Sequence, residues 1–286
     1  MRVYLPKRAR DDDMGGGWQF SRNIQQALKD KVEFVTDPVD TDIFFIPGPT
    51  LATRDEGKLA KAAGKKIVLR VDNVPRNSRN RNTGTSRLYD FAQIADAVIY
   101  QSHWAHDFIM PFIKKDGPVI LNGADQSVFN EDGPRISREG DPQYLYSRFN
   151  RDNIKRWERA WFLFQNKHFK NPKAHLWIVG SFGPNTVNYD FDFFGGAEER
   201  YRYLGLVEDR KEMAKIYRTA DYFYYTYEMD ACSNTLIEAR LCGMKMVTDD
   251  ASNSGSFKEI MGVPKSYLSL EHMGKGYLKV FKKVLS

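Results

Sequence analysis

The chain has 286 residues, enough for two domains of ordinary size, each with a buried core. Charged residues make up 28% and aromatic residues 14%, with 19 Phe and 15 Tyr, which excludes an intrinsically disordered chain. A net charge of +6 favours acidic partners such as phosphates, nucleic acid or an anionic surface, while only two cysteines, Cys232 and Cys242, exclude a disulfide framework and a cysteine metal site.

The opening "MRVYLPKRAR" has no apolar run of signal-peptide length, and no window approaches about eighteen uninterrupted apolar residues. A cytoplasmic protein without a membrane span is expected. The apolar runs "RVYLP", "VEFV", "DIFFIP", "KKIVLRV", "AVIYQS" and "PVILNG" read as strands. They alternate with the helical segments "SRNIQQALKD", "EGKLAKAAG", "SRLYDFAQIAD" and "HWAHDFIMPFIKK", a pattern that predicts a parallel sheet covered on both faces. From Phe129 to Pro142 the chain is rich in Gly, Pro and charge and reads as a linker. The alternation then restarts with "QYLYSRF", the helix "NIKRWERAWFLFQNKH", the strand "HLWIVG", a Gly/Asn-rich loop, "RYRYLG", "DRKEMAKIYRTA", "DYFYYTY", a helix from about Ser233, and "MKMVT". Two α/β domains are expected, 1–135 and 136–268. A terminal helix, 269–286, carries a stripe at Leu270, Tyr277, Leu278, Val280, Phe281 and Val284 and is free to pack back on the first domain.

Four stretches suit chemistry. In "GGGW", Gly15 to Trp18, glycines ahead of a helix capped by Ser21 let backbone N–H groups approach a phosphate or sugar, although a plain flexible turn has the same composition. The spacing is not that of the dinucleotide fingerprint. The strand "KKIVLRV" delivers Asp72 to its carboxyl end, where ligands of open parallel sheets gather. Behind it, Arg76, Arg79, Arg81 and Arg87 alternate with Asn73, Asn77, Asn80 and Asn82, side chains suited to phosphate and base-edge contacts or to a solvated basic loop. Arg148 at a strand end, with Arg151 or Lys155 after it, is placed to straddle a diphosphate; Arg156 and Arg159 read as solvated helix charges. Finally, Ser233 as an N-cap turns the N–H groups of Asn234, Thr235 and Leu236 into an anion site, with Glu238 one turn later able to accept from hydroxyls; an ordinary capped helix would read alike.

No metal site is expected. The acidic runs at 11–13 and 190–192 lack a strand-end context or a nearby His or Cys, and the histidines are scattered. No nucleophile elbow or phosphate-binding P-loop is present in the sequence.

Taken in order, the motifs resemble the glycosyl transferases group 1 family, also called glycosyltransferase family 4. The matching stretches are "DACSNTLIE" (Asp230 to Glu238) followed by "ARLCGMKMVT", "ADAVIYQSHWAHDFI", "VILNGADQSVF" and "YLGLVEDRKEMAKIYRTADYFYY". They span most of the chain. Departures are Met244-Lys245 where Pro is common, an Asp at position 72 where many members carry His, and a short chain. The resemblance implies the GT-B architecture, two Rossmann-like domains facing a cleft, and retention of anomeric configuration. It puts Gly16 and Gly17 against donor phosphate and acceptor, Arg148 and Lys155 on the leaving diphosphate together with the N–H groups at Ser233, Asn234 and Thr235, Asp230 on the donor sugar, Glu238 on the ribose, and the backbone at Leu206 and Val207 on the base.

The expected function is therefore transfer from a UDP- or GDP-sugar to a hydroxyl acceptor, with Asp72, Asp230, Arg148 and Lys155 at the reaction centre and no obligatory cofactor or metal. Trp18, Arg76, Arg79, Arg81 and Arg87 are the acceptor-side candidates. The acceptor is a saccharide or, given the basic loop, a hydroxymethylated base in DNA of the kind viral enzymes decorate. A monomer is expected. The alternative is a non-catalytic nucleic-acid-binding protein on the same scaffold.

Overall fold

The computed structural model describes residues 1–6, 15–72, 82–149, 156–180, 200–249 and 255–286. Arg76, Arg79, Arg81, Arg151, Lys155 and the acidic runs at 11–13 and 190–192 lie outside them. The chain divides into two compact units. The first comprises Met1–Asp125, Asp230–Asn234 and Lys258–Ser286, the second Gln126–Met229 and Thr235–Phe257. The division thus falls after Asp125 instead of at 135/136, and the returning C-terminal segment begins at Lys258 instead of 269. The charged stretch read as a linker belongs to the second unit because Arg218 reaches into it. That guanidinium donates to the carbonyls of Asn130 (3.0 Å) and Val128, and Phe129 packs edge-on to Tyr217.

In the first unit, β1 (Arg2–Tyr4), β2 (Glu33–Val35), β3 (Ile43–Ile46), β4 (Lys66–Val71) and β5 (Ala97–Tyr100) form a parallel sheet in the order β2-β1-β3-β4-β5. Side chains alternate across it. Phe44, Ile46, Leu69 and Val98 pack on one face with residues of α2 (Arg54–Ala62), α3 (Asn82–Ile94) and α4 (His103–Ile113). Ile43, Phe45, Val68 and Ile99 pack on the other with Phe20, Ile24 and Leu28 of α1 (Gly16–Leu28) and with Met273, Tyr277 and Phe281 of α9 (Leu270–Leu285). Thr53 closes a capping box on α2, and Ser102 and Ser269 cap α4 and α9.

Two expectations change. Helix α1 starts at Gly16, and Ser21 lies inside it, its hydroxyl donating to the Gly17 carbonyl at 3.0 Å; the glycines are themselves the first turn. "PVILNG" makes only an isolated bridge, Val119 to Tyr100, and Gly117 passes β5 so closely that a Cβ on it would overlap the Val98 carbonyl.

The second unit holds β6 (Gln143–Phe149), β7 (His175–Gly180), β8 (Tyr201–Gly205), β9 (Tyr222–Tyr224) and β10 (Lys245–Val247), all parallel, in the order β10-β9-β6-β7-β8. Helices α5 (Trp157–Lys170), α6 (Arg210–Thr219) and α7 (Asn234–Leu241) belong to it, apart from Asn234, and α8 (Phe257–Gly262) begins at its end. Its interior is aromatic. Tyr144 stacks on Tyr222 and Tyr224, and Trp157 meets Tyr146 and Phe149. Arg156 and Arg159 are not solvated charges: Arg156 pairs with Glu228 (3.0 Å) and Asp249 (3.5 Å), and Arg159 with Asp249 (2.7 Å).

Candidate functional site

In open α/β sheets, ligands collect outside the carboxyl ends of the strands where the strand order reverses. Each unit has such a point. In the first it lies between β1 and β3, followed respectively by the glycine turn and by Pro47-Gly48. Asp72, just beyond β4, is brought to this place. A Cβ on Gly48 would collide with its carboxylate, and one on Gly17 would stand 3.5 Å from Asp72 Oδ2. Gly17 and Asp72 are therefore neighbours, and Gly48 allows the approach of the carboxylate by lacking a side chain. Gly16 is exposed and Trp18 half-buried in the first turn of α1.

Beneath Asp72 runs a buried polar network that sequence patterning missed. Arg70, 2% exposed, lies 3.6 Å from Asp72 Oδ2 and donates to the Pro47 carbonyl (2.6 Å), Gln101 Oε1 (2.7 Å) and Asn122 Oδ1 (3.1 Å). Its guanidinium also covers the Phe20 ring at 3.6 Å. Asn122 in turn donates through Nδ2 to the Cys232 carbonyl (3.1 Å) and Asn234 Oδ1 (2.9 Å). The backbone N–H of Asn122 points at Cys232 Sγ (3.3 Å), and burial raises that thiol to about 12. Cys232 is thus a structural thiol. The segment 230–234 is anchored in this way to the first unit, with Asp230, Asn234 and Thr235 half-buried and Ser233 buried.

In the second unit the order reverses between β6 and β9. The register of β6 against β7 shifts between Tyr146 and Phe149, and Arg148 within that irregularity takes φ 72, a left-handed conformation rare for arginine. Beside it, Gly180 lets the Phe149 backbone approach closely, because a Cβ there would overlap that backbone. Arg148 lies 5.0 Å from the ring centroid of Tyr227, whose hydroxyl donates to the Ser147 carbonyl. Met229, in the loop that follows β9, is also left-handed (φ 51) and directly precedes Asp230.

Glu238 is buried, 1% exposed, one turn into α7. Its Oε1 accepts from Arg210, the first residue of α6, which follows the N-cap Asp209. Its Oε2 is shut off from solvent and has no hydrogen-bond partner among the described residues. Burial raises the Glu238 carboxyl above the ordinary range, and the nearby cations Arg210 and Arg148 oppose that shift. Leu206, exposed, and Val207, half-buried, follow the turn at Gly205 (φ 70) that ends β8. Arg87 lies within α3. Among the described residues no group of three or more His, Cys, Asp or Glu side chains is gathered for a metal ion, and no helix is long and apolar enough to cross a membrane.

No family model and no curated protein sequence matches the chain. Solved structures do. The Anabaena protein HepE in complex with UDP and glucose superposes with a TM-score of 0.66 at 16% identity, over 99% of this chain and 91% of that one. Sucrose-phosphate synthase from Thermosynechococcus elongatus gives 0.62 at 15% identity over 99% and 96%. The lipopolysaccharide outer core galactosyltransferase WaaB gives 0.61 at 14% over 100% and 94%. What is shared at these identities is the fold, and the chain accordingly has the α/β GT-B architecture of two Rossmann-like domains.

Proposed function

We propose that the protein is a retaining glycosyltransferase that moves a sugar from a UDP- or GDP-sugar to a hydroxyl acceptor. One observation carries the reading: the second acid of the Asp230-to-Glu238 motif holds a buried carboxylate oxygen with no partner among the described residues. Such an oxygen costs about 1–3 kcal/mol or more, so a ligand hydroxyl that satisfies it gains correspondingly. The GT-B fold and the presence of UDP in the HepE complexes support the same assignment.

In this reading Glu238 accepts from the ribose hydroxyls and the backbone at Leu206 and Val207 receives the base. Arg148, Lys155 and the N–H groups at Ser233, Asn234 and Thr235 neutralise the diphosphate as it leaves. Asp230 accepts from donor-sugar hydroxyls. The bond from C1 to the phosphate oxygen breaks, the acceptor oxygen bonds C1 on the same face, and the acceptor proton passes to the departing phosphate. Asp72 stabilises the positive charge that develops on the sugar. Gly16 and Gly17 allow backbone approach to donor phosphate and acceptor, and Trp18 and Arg87 contact the acceptor. No metal ion is needed for these steps, and the protein acts as a cytoplasmic monomer.

The test is a thermal-shift screen of UDP-, GDP- and ADP-sugars, followed by product anomer determination by NMR. Stabilisation by one donor class and a retained anomer are expected; no stabilisation by any donor overturns the reading. Saccharides and hydroxymethylated duplex DNA are the acceptors to compare. DNA that does not bind at low salt, or binds independently of salt, eliminates the nucleic-acid acceptor.

A further inference from the structure

Arg210 and Glu238 form an unequal pair. Glu238 is 1% exposed, whereas the Arg210 side chain is 36% exposed, with its guanidinium 4.6 Å from the Phe129 ring centroid. Asp209 holds the start of α6 in place, its carboxylate accepting from Lys211 N (2.7 Å) and Glu212 N (3.3 Å), so the arginine leaves a fixed helix end. A guanidinium carries five N–H donors in a planar fork and cannot accept. A carboxylate only accepts. A vicinal diol does both at each hydroxyl, so its complement is an acid and a cation side by side.

We infer that Arg210 is a specificity-determining residue: its guanidinium donates to the ribose hydroxyl oxygens of the nucleotide while Glu238 accepts from their hydrogens. This rests on the proposed placement of the nucleoside at Glu238 and adds to it a residue from another helix. Arg210 also holds Glu238 oriented through Oε1; Oε2, closed to solvent in the free protein, is the oxygen that nucleotide entry must uncover to receive a ribose hydroxyl. Among the described residues, the other groups facing the carboxylate are Arg148 on β6 and Tyr217 on α6. A site built to bond a hydroxyl discriminates strongly against the analogue that lacks it.

The experiment compares, by calorimetry, the tighter of UDP and GDP with its 2′,3′-dideoxy counterpart, on wild type, Arg210→Gln and Arg210→Lys. Wild type should prefer the ribonucleotide by about tenfold or more, the Gln variant by less than about threefold, and the Lys variant by an intermediate factor. A Gln variant that keeps the wild-type preference overturns the role of Arg210 while leaving the ribose at Glu238. A wild type that binds both nucleotides equally overturns the placement of the ribose and the inference with it. Should the Gln variant not fold, the Arg210 Nε–Hε resonance of wild type decides. It should move with the ribonucleotide and stay with the dideoxy form; the same movement with both overturns the proposal.

Discussion

Asn122 donates through Nδ2 to Asn234 Oδ1 at 2.9 Å, across 112 residues of chain. The same side chain accepts from Arg70, which lies 3.6 Å from Asp72. One buried amide therefore links the base of Asp72 to the turn that opens α7.

Asn122→Ala leaves the Arg70 guanidinium and the Cys232 carbonyl short of a partner. A loss of about 1–3 kcal/mol in denaturant unfolding is expected, together with a raised KM for the donor because the 230–234 turn loses its tether. A variant destabilised but with unchanged donor KM would show that the turn holds itself.

Gly48→Ala places a methyl group where the Asp72 carboxylate lies. The carboxylate must move by roughly an ångström, and kcat should fall on the order of 10²-fold while nucleotide affinity stays at the wild-type level. Equal losses in both would locate the damage elsewhere than at Asp72.

Arg148 combines a strained backbone with a cation. Arg148→Gly removes both, so its melting temperature should match or exceed that of wild type, with a gain of about 1 kcal/mol, while kcat falls on the order of 10²–10³-fold. Arg148→Ala keeps the left-handed strain and should be the less stable of the two.

Burial raises the Glu238 carboxyl above its ordinary range. A raised folded-state value means that its contribution to stability is fully present below the ordinary carboxylate range and is lost as pH rises through the folded value. Glu238→Gln is neutral throughout. It should melt above wild type near neutral pH, the gap closing towards pH about 4, yet bind donor more weakly. A constant gap across pH would mean that ionisation of Glu238 does not control it.

Much of the fold is legible in the sequence because both sheets are parallel and buried, so short apolar runs separated by amphipathic helices declare them. Asp72 at the end of "KKIVLRV" and the helix after Ser233 are local signals of this kind. The start of α1 was hidden because three glycines in a row carry no helical pattern, and their neighbour Ser21 imitates a cap. Gly48, Arg70, Gln101, Asn122 and Arg210 act through partners distant in the chain, such as Arg210 with Glu238 at a separation of 28. Periodicity contains no record of such pairs. Pro47-Gly48-Pro49 directly after a buried strand was the one available sign of a close approach there.

Calorimetric titration of wild type and Glu238→Ala with the donor class selected by the thermal screen tests the central claim most directly. Micromolar-to-millimolar binding to wild type, lost or weakened at least about tenfold in the variant, is the predicted result. Donor binding unchanged by Glu238→Ala would contradict the placement of the nucleotide at α7.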